Sequence, residues 1–368
     1  MAELDSILEA ITDWSERGLP FALATVVGVR GSTYRGLGAR QLVAADGAGV
    51  GTVSGGCLDQ DLHRIALDVI DRDAARIVEF DLTADDEAIW GWGIGCNGAT
   101  RLLVEPASSA RDVARHILAA RAEQRPLAIT HLLDPGPFDL PVGARRYERL
   151  DGGGADGLGP LDPLVEDLAR RALQTGHHEL AVVDGAEVFV EVVGAPSRLV
   201  ICGAGHDAAP VARYGTELGF EVVVVDERRQ VLDRERFGSD VALVHGRPSD
   251  LADHVELDGR TYVVVMSHNY LRDLDYLRSL IGSDVAYIGA LGPGARLERL
   301  LKDLEADGVE VTDADLAKIH APAGLDVGAE GPQEIAWAVL AEILAVRRGK
   351  GGGFLRKRKG PEVLRRLP

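Results

Sequence analysis

Basic residues, cysteines and long apolar runs are all in short supply in this chain, and each shortage excludes something. Of 368 residues, 40 are Lys or Arg against 58 Asp or Glu, for a net charge of −18. Such an excess of acid repels phosphate backbones, so no nucleic-acid partner is expected. Three cysteines cannot close a disulfide framework, and a reducing, cytoplasmic setting is the simpler expectation. No uncharged apolar run approaches the ~18 residues of a membrane span. The opening Met1-Ala2-Glu3-Leu4-Asp5 lacks the basic-then-apolar order of a secretory leader. What the chain does have is glycine, 44 residues of it, within an ordinary globular balance of 46% apolar and 27% charged residues. Its length suggests two or three domains.

The first part reads as mixed α/β. Leu4, Ile7, Leu8, Ile11 and Trp14 fall at helical spacing. Strands are expected at 21–29, 40–45, 76–82 and 99–105, with a helix over 58–71. Between them lie three glycine loops: Gly31–Gly36, Gly51–Cys57 and Trp90–Gly98. From 106 to 197 the signals weaken. A helix (110–122), a strand (127–133), an exposed Gly/Pro/Asp-rich insertion (134–160) and a hairpin turning at Asp184-Gly185 are expected there. Residues 194–197 read as a domain boundary. Beyond them, strand candidates at 199–202, 221–225, 241–245, 262–266 and 285–288 alternate with helices at 207–218 and 271–281. That alternation predicts a parallel sheet covered by helices. A last helix, 332–346, places Ile335, Val339, Ile343 and Val346 on one side, an apolar stripe that permits a homodimer. The expected division is therefore 1–105, 106–197, 198–346 and a basic tail, 347–368.

Gly203-Ala204-Gly205-His206-Asp207-Ala208 follows a strand and opens a helix, and Asp226 ends the next strand. That strand–turn–helix–strand–acid order is the context in which a glycine turn receives a dinucleotide phosphate. Gly203 and Gly205 permit close backbone approach, and Asp226 is placed to accept hydrogen bonds from a ribose diol. Ser267-His268-Asn269 lies at the same carboxyl edge of the sheet, so His206 and His268 are expected at one crevice. Arg228 and Arg229 follow the acid, as phosphate ligands or as surface charges. Cys202 lies within a strand and reads as core.

Cys57 follows Ser54-Gly55-Gly56 at the start of a helix, where an N-terminus favours thiolate. Cys96 follows Gly95 in another glycine loop. Neither belongs to a Cys-x-x-Cys pair, which excludes a zinc ribbon or a thioredoxin-like motif.

The segments Ala24–Arg35, Gly38-Ala39-Arg40 and Gly51–Leu58 resemble the N-terminal domain of the XdhC/CoxI family, maturation factors of xanthine and carbon monoxide dehydrogenases. Gly203–His206, Val225–Arg228, Ser267-His268 with Asp273, Tyr287–Gly289 and Pro332–Ala336 resemble that family's Rossmann-like C-terminal domain. The likeness spans most of 20–105 and 198–346. It implies a cofactor-binding chaperone rather than a turnover enzyme. Such a chaperone would bind molybdenum cofactor, as molybdopterin or its dinucleotide form, and help insert the sulfurated cofactor into an apo molybdenum hydroxylase. A cysteine desulfurase would be a further partner. The resemblance carries over Cys57 and Cys96 as cofactor, molybdenum or sulfur contacts; Gly55, Gly56, Gly95, Gly203, Gly205, His206, Asp226 and His268 are the expected cofactor-binding residues. Two other readings stay open: an NAD(P)-dependent oxidoreductase, resting on Gly203, Gly205 and Asp226, and a protein-binding scaffold without cofactor.

The charge is unevenly distributed. Residues 347–368 hold nine Lys or Arg and one acid, Glu362, leaving 31 basic and 57 acidic residues in 1–346. The body thus carries −26 and the tail +8, which reads as a solvated, disordered arm or a docking arm for an acidic partner.

Overall fold

The computed structural model describes residues 2–81, 98–152, 154–155 and 157–355. Two compact units emerge, one formed between Glu3 and Ala195 and the other beginning at Pro196. Among the described residues no helix is long and apolar enough to cross a membrane.

The first unit opens with α1 (Ala2–Glu16), followed by β1 (Phe21–Gly31), β2 (Arg40–Ala44), β3 (Gly49–Gly51), α2 (Asp59–Arg72), β4 (Arg76–Asp81), β5 (Gly98–Pro106) and α3 (Ala107–Ala122). The five strands pair antiparallel in the order β3-β2-β1-β5-β4. The first eight residues of β1 are buried, because helices cover both of its faces. Phe21 and Leu23 pack with Ile7 and Ile11 of α1 and Ile117 of α3. Ala22, Ala24 and Val26 pack with Leu62, Ala66 and Val69 of α2. That alternation follows from successive strand side chains pointing to opposite faces. It explains why β1 reads as a near-continuous apolar run, interrupted by Thr25, rather than an alternating one.

The same unit continues through β6 (Leu127–Asp134), β7 (Arg145–Glu148), β8 (Gly154–Ala155), α4 (Asp162–Thr175), β9 (Glu179–Val183) and β10 (Ala186–Val193). These strands form a second five-stranded antiparallel sheet, β8-β7-β6-β10-β9. Leu132, Val188 and Val190 bury one of its faces against Val165 and Ala169 of α4. The β9–β10 hairpin turns at Asp184 and Gly185, both at positive φ (48° and 87°), the requirement of a type I′ turn. One expectation fails here. The stretch read as an exposed insertion contains β7, whose four residues are all buried. Their charges are paired: Arg145 with Glu105 and Arg146 with Glu148. A third buried pair, Arg40–Glu191 at 2.6 Å, joins the start of β2 to β10, and His131 Nε2 approaches the same carboxylate at 3.2 Å.

The second unit contains β11 (Arg198–Cys202), α5 (Ala208–Glu217), β12 (Glu221–Asp226), α6 (Arg234–Phe237), β13 (Ala242–His245), α7 (Leu251–His254), β14 (Thr261–Val265), α8 (Tyr270–Leu280), β15 (Tyr287–Ala290), α9 (Gly294–Ala306), α10 (Asp313–Leu316), β16 (Ile319–His320) and α11 (Pro332–Arg347). All six strands are parallel, in the order β13-β12-β11-β14-β15-β16. This is a doubly wound sheet whose direction reverses between β11 and β14. The stripe on α11 packs within its own unit: Val339 and Ile343 are buried in the core, with Ile335 and Val346 packed against it. The tail from 356 onward lies outside the described residues.

Candidate functional site

In the second unit the ends of β11 and β14 meet where the sheet reverses, and the turn after β11 needs glycine. Gly203 has φ +116°, and a Cβ there would stand 2.7 Å from both the Met266 carbonyl oxygen and Ser267 Cα. A Cβ on Gly205 would meet Asp207 Oδ1 at 2.7 Å. Sequence reasoning missed how the turn is held. The Ala204 N–H donates to Asp226 Oδ2 at 2.8 Å, while its carbonyl accepts from Arg236 Nη2 at 2.8 Å. Ala204, at the centre of the turn, is thus clamped through both of its flanking peptides.

Asp226 does not face outward with free oxygens. Arg228 grips it through its backbone N–H (2.9 Å) and Nε (3.0 Å) to Oδ1, and through Nη2 (2.8 Å) to Oδ2. Burial pushes the carboxyl up, but the Arg228 bonds and the Ala204 N–H outweigh it and hold the group below its ordinary value. His206 and His268 are both exposed. His268 reaches back to the start of α5, its Nε2 standing 2.6 Å from Asp207 Oδ2, and its backbone lies at φ +56°. Behind it, Ser267 donates to Asp273, which is also held by Arg296 Nη2 at 2.7 Å. Cys202 is fully buried in β11, and burial raises its thiol well above the ordinary range; it belongs to the core.

In the first unit the Gly31–Gly36 loop and the turn through Ser54–Cys57 lie side by side. A Cβ on Gly55 would touch the Tyr34 ring at 3.6 Å. The Glu3 carboxylate joins the two segments, accepting from Thr52 N–H at 3.2 Å and from Arg35. Ser54 orders the turn that presents Cys57. Its hydroxyl accepts from the N–H groups of Gly56 (3.1 Å) and Leu58 (3.4 Å), and donates to Asp59 Oδ1 (3.4 Å). Gly56 sits at φ +98° with open space where a side chain would be. Cys57 is half-buried and carries a free thiol among the described residues, two positions ahead of α2. At the re-entry of β5, a Cβ on Gly98 would strike the Arg30 and Ser32 carbonyl oxygens at 2.6 Å. Gly95 and Cys96 lie outside the described residues. Among the described residues no cluster of three His, Cys, Asp or Glu side chains could hold a metal ion. Cys57 thus offers one soft sulfur atom among the described residues, not a multidentate metal site.

A family model described as the XdhC Rossmann domain matches residues 199–343, and one described as the XdhC and CoxI family matches residues 14–81. The chain belongs to the XdhC and CoxI family. Among its relatives is a probable xanthine dehydrogenase subunit from Bacillus subtilis (strain 168), 28% identical over 351 residues, covering 95% of this chain and 98% of that protein. The molybdenum cofactor insertion chaperone PaoD of Escherichia coli (strain K12) is 25% identical over 328 residues, covering 88% and 83%. A crystal structure described as a xanthine dehydrogenase from Bacillus halodurans superposes with a TM-score of 0.76 at 26% identity, covering 97% of this chain and 98% of that one. Both XdhC matches fall on the two glycine turns described above. The intervening sheet of β6–β10 lies outside both matched ranges.

Proposed function

We propose that this protein is a maturation factor that binds molybdenum cofactor and delivers it to an apo molybdenum hydroxylase of the xanthine or carbon monoxide dehydrogenase type, assisting its sulfuration. The observation that carries this reading is that the two turns shared with the XdhC family are each held in shape by their own hydrogen bonds. One presents Cys57 with a free thiol; the other clamps Ala204 beside a glycine that tolerates no Cβ. The likeness to PaoD, named as a molybdenum cofactor insertion chaperone, supplies the chemistry those turns would serve. The cofactor is cargo in this reading. A thiolate suits molybdenum–sulfur chemistry, and a glycine turn at a strand end suits a phosphate. Cys96, with Gly95, is proposed as a second sulfur contact, and a cysteine desulfurase as the sulfur donor.

The test is cofactor retention. Protein purified from cells that make the cofactor is denatured and oxidised, and pterin fluorescence is read. Retention in the wild type and its loss in Cys57→Ala or Cys96→Ala would support the reading. Normal retention in both variants would sink the cysteine roles, and no pterin in the wild type would sink the whole. An NAD-dependent oxidoreductase is less well supported, because Asp226 already holds Arg228 where a ribose diol would bind.

A further inference from the structure

An ionised carboxylate offers about four lone-pair positions to donors. Asp226 has all four filled: Arg228 N–H and Nε on Oδ1, Arg228 Nη2 and the Ala204 N–H on Oδ2. Two of those donors, Ala204 N–H and Arg228 N–H, are backbone groups fixed by the turn and the end of β12. A ribose diol arriving here finds no acceptor. It could gain one only by expelling a guanidinium that makes two hydrogen bonds to the carboxylate. Arg228 is in the opposite condition. A guanidinium carries five N–H donors; here Nε and one N–H of Nη2 are engaged with Asp226, and the side chain is one-third exposed at 33%. Among the described residues no acceptor on Nη1 competes with a ligand. The neighbouring acid Glu227 is itself engaged by Arg272, which reduces the negative field an incoming anion would meet.

We propose that the end of β12 is a phosphate-monoester subsite, with Arg228 as its specificity-determining residue, rather than a ribose-diol subsite. Planar guanidinium donors match phosphate oxygens two at a time, and such charge-assisted pairs are the strong ones. Two sources can supply that chemistry next to the glycine turn: a nucleotide phosphorylated on its ribose, or the phosphate of an unextended pterin cargo. The inference rests on the reading that the turn at Gly203 receives a ligand, and it adds which ligand chemistry the neighbouring strand end selects.

The experiment uses the full chain and two ligand pairs, each differing by one phosphate monoester. The first pair is AMP and adenosine 2′,5′-bisphosphate; the second is the oxidised pterin phosphate and the same pterin after phosphatase treatment. Calorimetric titration should give the phosphorylated member of at least one pair an advantage of about tenfold or more, equivalent to roughly 1.4 kcal/mol. Arg228→Ala should reduce that advantage to within about twofold, and Arg228→Lys should keep part of it, since the charge survives and the fork does not. Which pair responds identifies the source.

If Arg228→Ala fails to fold, Asp226→Asn provides the second arm. It keeps one acceptor oxygen for Arg228 and removes the negative charge that competes with an incoming anion, so the phosphate preference should persist or grow; loss of that preference in a folded Asp226→Asn protein would overturn the proposal. Equal affinity within both pairs would overturn it, as would a preference that survives in folded Arg228→Ala protein, or no binding of any of the four ligands. Pterin retention after such a failure leaves the chaperone reading standing. A phosphate preference in a protein that retains no pterin does the reverse.

Discussion

Gly203 shows how narrow the tolerance of the second unit's turn is. Its φ of +116° excludes L side chains, and backbone atoms 2.7 Å from a would-be Cβ cannot step aside as a flexible side chain would. Gly203→Ala should lower stability by about 2 kcal/mol or more, read as a shift in denaturant midpoint, and should reduce pterin retention in whatever fraction still folds. Glu191 makes a prediction about acid. Burial raises its carboxyl, but the Arg40 charge and the His131 hydrogen bond dominate and bring it to about 2, against an ordinary 4.5. A group depressed in the folded state contributes fully above its unfolded value and loses that contribution as pH falls through the folded one. The Arg40–Glu191 pair should therefore support the first unit undiminished above about pH 4.5, then progressively less towards pH 2. Glu191→Gln should flatten that dependence in denaturant titrations. At pH 7 it should cost about 3–5 kcal/mol, because Arg40 is left buried without its partner.

At the scale of elements, α11 is a covering helix that buries Ala336, Val339, Leu340 and Ile343 in the core of its own unit. Ile343→Ala should destabilise that unit by about 2–5 kcal/mol. Amide exchange in β11 and β14 should report the loss, with no change in the oligomeric state. Elements were legible in the sequence wherever one physical demand set the residue pattern. The Asp184-Gly185 turn, the buried run of β1 and the strand–turn–helix at Gly203 are of this kind. The strand β7 was not, because Arg145-Arg146-Tyr147-Glu148 looks solvated until Glu105 and the other partners of its charges are placed beside it. Nor was the site's inner wiring. The His268–Asp207 contact joins residues 61 positions apart, and the Arg236 bond to the Ala204 carbonyl spans 32. Composition and periodicity carry no record of such contacts. The Arg228–Asp226 grip is only two residues long, yet a sequence shows an acid next to an arginine without showing that the pair has closed on itself.

The whole molecule contains two units with separate hydrophobic cores, and Gly194–Ser197 between them has no regular structure. A protease site inserted there should, on cleavage, release two fragments that each retain their secondary structure by circular dichroism; collapse of either fragment would show that its core is insufficient alone. The parallel sheet also sets a timetable. The turn after β11 is bounded by Met266 and Ser267, which arrive 63 residues or more after Gly203, and β11 itself pairs with β14. Chains emerge from the ribosome N-terminus first, and long-range parallel pairing cannot begin until both strands exist. The Cys57 turn is complete early in synthesis, whereas the glycine turn has no floor until β14 has emerged. A nascent chain arrested before Thr261 would therefore carry a finished Cys57 turn while the turn after β11 still lacked its floor.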